Sequence, residues 1–151
     1  MVLRLSPQHR QHIEFHAERC YPRECCGLIL GYAEAGEKRV AEVWETENAW
    51  DDETATTFDE TAEFNTQERR YTIAAEVMLE AQKTSRDRGW QILGIYHSHP
   101  NHPAIPSEVD RSWAWPQYSY VIVSVREGLA IDLRSWQLDE NHQFRAETVR
   151  S

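Results

Sequence analysis

The sequence predicts an α/β or α+β fold, a mixed β-sheet sandwiched by helices, folded as one domain. Three observations carry this. The chain has 151 residues, the size of a single domain and enough to bury roughly two thirds of the unfolded surface in one core. Its 40% hydrophobic and 27% charged residues are the mix of a globular chain, not of a disordered one. Segments of helical spacing alternate with short apolar runs in the order helix, strands, helix, strand, helix, strands.

Each element has a local reason. Ser6-Pro7 starts a helix, with serine as N-cap and proline in the first turn, and the helix runs to about Cys20 before Pro22 ends it. Ile13, Ala17 and Cys20 form its apolar stripe, and His12 and His16 read as a polar face. Glu14 lies two residues from each histidine and points away, unlike the H-E-x-x-H arrangement of zincin proteases. Cys25 to Gly31 is an unbroken apolar run, as expected of a fully buried strand. Lys38 to Thr46 alternates as a second strand, joined to the first through the Glu34-Ala-Gly-Glu37 turn.

From Asp51 to Arg69 there are seven carboxylates, one arginine and only two large apolar side chains, Phe58 and Phe64. Such a stretch buries too little to order itself, and it reads as a solvated, mobile acidic insertion, with a grip on a basic partner as the alternative. Ala74 to Arg88 is a helix stopped by Gly89, and Gln91 to Tyr96 is a strand leading into His97. Ser107 to Trp115 reads as a helix closed by Pro116. Tyr118 to Val125, Ala130 to Leu138 and Phe144 to Val149 complete the strands.

Composition excludes several functions. A formal charge of −9 repels a phosphate backbone, so no nucleic acid is expected and a basic protein or peptide fits better. Met1 to Ser6 lacks the apolar run of a signal peptide, and no segment approaches the ~20 apolar residues of a membrane span. The expected compartment is the cytosol. Cys20, Cys25 and Cys26 are odd in number and lack C-x-x-C spacing, so they read as reduced and mostly buried. The oligomeric state is left open between monomer and homodimer.

The chemistry lies in His97-Ser-His-Pro-Asn-His-Pro-Ala-Ile-Pro-Ser-Glu-Val-Asp110. At the end of a strand, His97 and His99 project to one face and Ser98 to the other. Pro100 to Pro106 cannot be helical and forms a stiff loop able to return Asp110 to the histidines. Two imidazoles and a carboxylate make the three-ligand set of a hydrolytic zinc site, whose fourth position is left for water. Zinc lowers the pKa of that water to about 7 and polarises a carbonyl, but it lacks a proton carrier. Ser107-x-x-Asp110 also fits a helix start, and both roles can hold. His102 reads as loop.

The pattern His97-x-His99-Pro100 followed by Ser107-x-x-Asp110 resembles the JAMM motif of the MPN-plus metalloprotease family. Glu24-Cys-Cys-Gly-Leu-Ile-Leu-Gly31 is similar to that family's upstream glutamate element, and Asn48, Gly94 to His97 and Pro116 to Val125 fit more loosely. Its bacterial branch of peptidases acting on ubiquitin-like sulfur carriers is the most similar. The resemblance implies a cytidine-deaminase-like MPN/JAB fold, with His97, His99 and Asp110 as Zn2+ ligands. It further implies Glu24 as general base and proton donor to the departing amine, a role suited by a buried carboxylate. Ser107 would donate to the oxyanion. The implied activity is hydrolysis of an amide after the C-terminal tail of a ubiquitin-like or sulfur-carrier protein, whether peptide or isopeptide. Of Trp113 and Trp115, one is expected to pack beneath the site and the other to border the substrate groove. Two other functions compete: a metal-free MPN scaffold that only binds protein, disfavoured because every motif position is kept, and nucleic-acid processing, suggested by a similar segment in the RadC family but without a basic patch here.

Overall fold

The computed structural model describes residues 2–49 and 71–151; the acidic insertion expected at 51–69 lies outside the described residues. Among these, the order is β1 (Val2–Arg4), α1 (Pro7–Cys20), β2 (Cys26–Glu34), β3 (Glu37–Thr46), α2 (Ala75–Asp87), β4 (Gln91–Pro100), α3 (Glu108–Ser112), β5 (Ser119–Arg126), β6 (Leu129–Leu138) and β7 (Phe144–Arg150). The fold is mixed α+β, with more strand than helix. No helix among the described residues is long and apolar enough to cross a membrane.

Helix α1 starts as its sequence dictates: the Ser6 hydroxyl accepts from the His9 N–H at 3.2 Å, satisfying one of the orphan donors of the first turn. Ile13 and Ala17 are buried. His16, expected on a polar face, is buried with them, and its Nδ1 lies 2.7 Å from the Tyr96 hydroxyl. The reason is angular. Residue 16 falls within one helical step of the stripe set by residues 13 and 17, so position overrode polarity once a hydrogen-bond partner was available.

Strands β2 and β3 form a hairpin whose two turn residues, Ala35 (φ 52°) and Gly36 (φ 78°), both take the left-handed conformation that a two-residue turn of matching twist requires. The strands run β1-β3-β2-β4-β5-β6-β7, and β1 pairs in parallel with both β3 and β7, closing the sheet into a barrel. The mixed sheet expected from sequence is thus present, and its closure is a feature the sequence did not announce. A three-residue strand has too little periodicity to announce itself, yet Leu3 at its centre is fully buried.

Alternation along β2 feeds two cores. Ile29 joins Ile13, Ala17, Tyr96, Val121 and Val123 beneath α1, whereas Leu28 and Leu30 pack with Ala81, Val77 and Met78 of α2 on the opposite face. The helices therefore flank the sheet. Lys38, read as one of the charges alternating along β3, is buried instead, and its ammonium donates to Ser119 Oγ (2.8 Å) and to the carbonyls of Gln117 (3.1 Å) and Leu93 (3.3 Å). Three donors with three acceptors satisfy the buried charge. The thiols of Cys20, Cys25 and Cys26 are free, and burial pushes that of Cys26 up to about 12.

Strands β4 and β5 are parallel, with His97 opposite Ile122 and Pro100 opposite Val125. A parallel pair needs a crossover, and residues 101–118 supply it, so the end of β4 opens onto a loop-rich edge. Functional groups in such sheets gather at the carboxyl ends of strands.

Candidate metal centre

Two registers assemble the site. Cys26 of β2 stands opposite His97 of β4, and the ladder continues outward, where the Ser98 N–H donates to the Cys25 carbonyl. Counting back along this antiparallel register places Glu24 opposite His99. Alternation in β4 sends His97 and His99 to one side, and Ser98 to the other, where its Oγ accepts from the Cys25 N–H at 2.8 Å. The crossover then delivers Asp110. Its route is pinned by the Asn101 N–H donating to the Val125 carbonyl (2.6 Å) and by the Trp136 indole N–H donating to the Ala104 carbonyl (3.0 Å).

The structure brings His97, His99 and Asp110 together. Their Nε2 atoms lie 3.1 Å apart, and the two Asp110 oxygens lie 3.3 Å from His97 Nε2 and 3.1 Å from His99 Nε2. A carboxylate oxygen of Glu24 and one ring nitrogen from each histidine also lie within 4.8 Å of one another. Glu24 is only 5% exposed. Ser107 is exposed and caps α3: its Oγ accepts from the Asp110 N–H at 3.0 Å, while Asp110 Oδ2 accepts from the Ser107 N–H at 2.9 Å. This reciprocal capping box aims the aspartate, so the helix-start and ligand readings of Ser107-x-x-Asp110 are compatible.

Electrostatics follow from this crowding. Burial disfavours the charged Asp110, yet His97 and His99 outweigh it and hold the carboxyl far below the usual carboxylate range. Burial lowers the pKa of His97, with Asp110 pulling the other way. For His99 burial also opposes charging, but the hydrogen bond and charge of Asp110, aided by the Pro103 carbonyl, prevail and raise it. Two ring nitrogens and a carboxylate facing each other at about 3 Å cannot all remain bare acceptors; they require a cation among them, a proton or a metal ion.

That donor set fits zinc. Tetrahedral ligands at Zn–N of about 2.0–2.1 Å stand roughly 3.3 Å from one another, close to the separations found. His99 Nδ1 meets the Pro103 carbonyl at 2.8 Å, the outer contact that usually orients a metal-binding imidazole. His97 Nδ1 is buried and has no hydrogen-bond partner among the described residues. Tyr71 stacks on the His97 ring at 4.4 Å between centroids and 20° between planes. The Tyr71 segment is tied back to the glutamate: the Thr72 N–H donates to Asn48 Oδ1, and Asn48 Nδ2 donates to the Glu24 carbonyl, each at 3.2 Å.

Sequence reasoning missed Tyr71, whose only signal was an aromatic residue where the acidic stretch ends. It also expected one of Trp113 and Trp115 to pack beneath the site. The helix expected over 107–115 stops at Ser112, with Trp113 as its C-cap. Trp113 and Trp115 are consequently 56% and 59% exposed, and neither packs beneath the site. His102 is exposed in the loop, as expected.

A family model described as prokaryotic homologs of the JAB domain matches residues 6–139. The solution structure of a Salinibacter ruber protein is 32% identical, with a TM-score of 0.69, over 100% of this chain and 92% of that one. A Desulfitobacterium hafniense protein, also solved in solution, is 26% identical with the same TM-score of 0.69, over 99% and 91% of the two chains. The crystal structure of a JAB1/MPN domain protein from Archaeoglobus fulgidus shares the fold at a TM-score of 0.54 and 14% identity, over 100% of both chains. A curated desampylase from Haloferax volcanii is 36% identical over 55 residues, a match spanning 36% of this chain and 40% of that protein.

Proposed function

This chain belongs to the family of prokaryotic homologs of the JAB domain, and on that premise we propose that it is a zinc metallopeptidase that cuts the amide after the C-terminal tail of a ubiquitin-like or sulfur-carrier protein. The observation that carries the reading is the convergence of His97, His99 and Asp110 within 3.3 Å of one another, with the buried Glu24 beside them. The short match to a desampylase supports a ubiquitin-like modifier as the substrate class. The net charge of −9 suits a basic partner. In this reading residues 1–151 form one domain of cytidine-deaminase-like type, acting in the cytosol.

His97, His99 and Asp110 would hold the ion. When bound, zinc supplies a Lewis acid for the scissile carbonyl and a means of acidifying water. Glu24 takes a proton from the attacking water and delivers it to the nitrogen of the departing amine, so a single carboxylate serves both halves of the reaction. Its burial keeps bulk water from competing for that proton. The Ser107 oxygen already accepts from the Asp110 N–H, so its own O–H is the group to donate to the carbonyl oxygen as charge grows there. One such donor is worth about 3 kcal/mol of barrier. A protein-binding scaffold without catalysis would have no use for a glutamate held beside two converging histidines.

The test uses purified protein, its metal content measured, with a ubiquitin-like protein extended beyond Gly-Gly. Cleavage after the tail should stop on chelation and return with zinc. Glu24→Gln should keep metal and fold but lose at least about a hundredfold in kcat; His97→Ala should lose the metal as well. Full activity in a metal-stripped sample would sink the reading.

A further inference from the structure

Glu24 and Cys25 lie just ahead of β2, which begins at Cys26, so the peptide that joins them is outside the strand itself. It is nevertheless held at both ends. Its carbonyl accepts from Asn48 Nδ2 at 3.2 Å, and its N–H donates to Ser98 Oγ at 2.8 Å. In a regular antiparallel pair that N–H would go to a backbone carbonyl; here a side chain takes it. The residue that supplies the oxygen stands between His97 and His99, and its own N–H donates to the Cys25 carbonyl at 3.2 Å.

This grip has a geometric consequence. A peptide is planar, so bonds to its carbonyl and to its N–H together restrict rotation on either side of it, and with that the direction in which the Glu24 side chain leaves the backbone. Packing does not hold the peptide on every side, because a cavity of about 510 Å³ is lined in part by Glu24, Cys25 and Asn48. Ser98 is fully buried. Asn48 is itself fixed through Oδ1, which accepts from the Thr72 N–H at 3.2 Å, and only one orientation of its amide serves both contacts.

We propose that Ser98 and Asn48 are positioning residues for Glu24, holding the Glu24–Cys25 peptide so that the carboxylate stays beside the imidazole pair. The inference rests on the reading of Glu24 as the proton carrier. A general base works within about 2.6–3.2 Å of the proton it takes, and a displacement of about 1 Å can cost a hundredfold in rate. Because Ser98 lies on the same strand as His97 and His99, the glutamate is set directly against the groups it must work beside.

Ser98→Ala and Asn48→Ala test this, with turnover of a ubiquitin-like protein extended beyond Gly-Gly measured per bound zinc. Each should lower kcat about tenfold, part of what such a displacement costs, and leave KM unchanged. In a Glu24→Gln background, where no carboxylate is left to place, each should alter the residual rate by less than about twofold, the spread of uncoupled sites. Exchange of the Cys25 amide hydrogen, which needs neither substrate nor zinc, should quicken at least about tenfold in Ser98→Ala as the local structure opens. Asn48 is only half-buried, so its variant decides the matter should Ser98→Ala not fold. Wild-type kcat in either variant, the same loss in the Glu24→Gln background, or an unchanged Cys25 exchange rate overturns the positioning role and leaves the hydrolase reading intact. A Glu24→Gln protein as active as wild type overturns both.

Discussion

His97 and His99 are held by different means, and the difference is testable. His99 has a carbonyl on its outer nitrogen, whereas the outer nitrogen of His97 is buried without a hydrogen bond among the described residues, and its ring lies against Tyr71. Stacking fixes the ring plane as a hydrogen bond otherwise would. Tyr71→Ala should therefore weaken zinc retention about tenfold, the lower end of what lost outer contacts cost, while Tyr71→Phe should retain it near wild type. Competition against a chelator measures both. An alanine variant as tight as wild type would show that His97 needs no such support. The pair itself was legible in sequence, because the two-residue period of a strand puts alternate side chains on one face wherever the strand ends. Tyr71 was not, since a ring stacked on a residue 26 positions away leaves no local pattern.

At the scale of elements, the site depends on how closely β4 approaches β5. A Cβ built on Gly94 would fall 2.0 Å from the Ser119 carbonyl oxygen, a backbone atom that cannot turn aside. Gly94→Ala should push the strands apart just before His97, destabilising the protein by about 3 kcal/mol, the upper range for overpacked cores, and loosening the metal as well. Urea denaturation with and without zinc measures this; a variant within 0.5 kcal/mol of wild type, about the spread of neutral substitutions, would show that the strands yield freely. Helix α1 was legible to the residue because the Ser6-Pro7 start is local chemistry. Helix α3 was overextended: its capping box was read correctly, but Pro116 restricts only Trp115 and the chain leaves the helix earlier, at Ser112.

Across the whole molecule, burial of polar side chains ties stability to pH. His16 has its pKa lowered, chiefly by burial, with Glu45 opposing. A histidine harder to protonate when folded gives up stability in acid: from about pH 6.5 downward the unfolded chain binds a proton that the folded chain refuses, and above that pH the effect is absent. His16→Gln should therefore lose less stability than wild type between pH 7 and pH 5, measured as the difference in Tm shift; an identical slope would remove His16 as a contributor. Lys38, Tyr71 and His16 share a lesson, for their environments are built by strands and helices distant in sequence. The sequence alone determined the alternation of elements, the acidic character that disfavours nucleic acid, and the His-x-His, Ser-x-x-Asp and upstream Glu pattern, because these depend on period, composition and local caps. Only the tertiary structure decided that a three-residue strand closes the barrel, that His16 is buried against Tyr96, that Tyr71 stacks on His97, and that a cavity is lined in part by Glu24. Each of those is a contact between segments far apart along the chain, and such contacts are set by the packing of the whole core rather than by neighbouring residues.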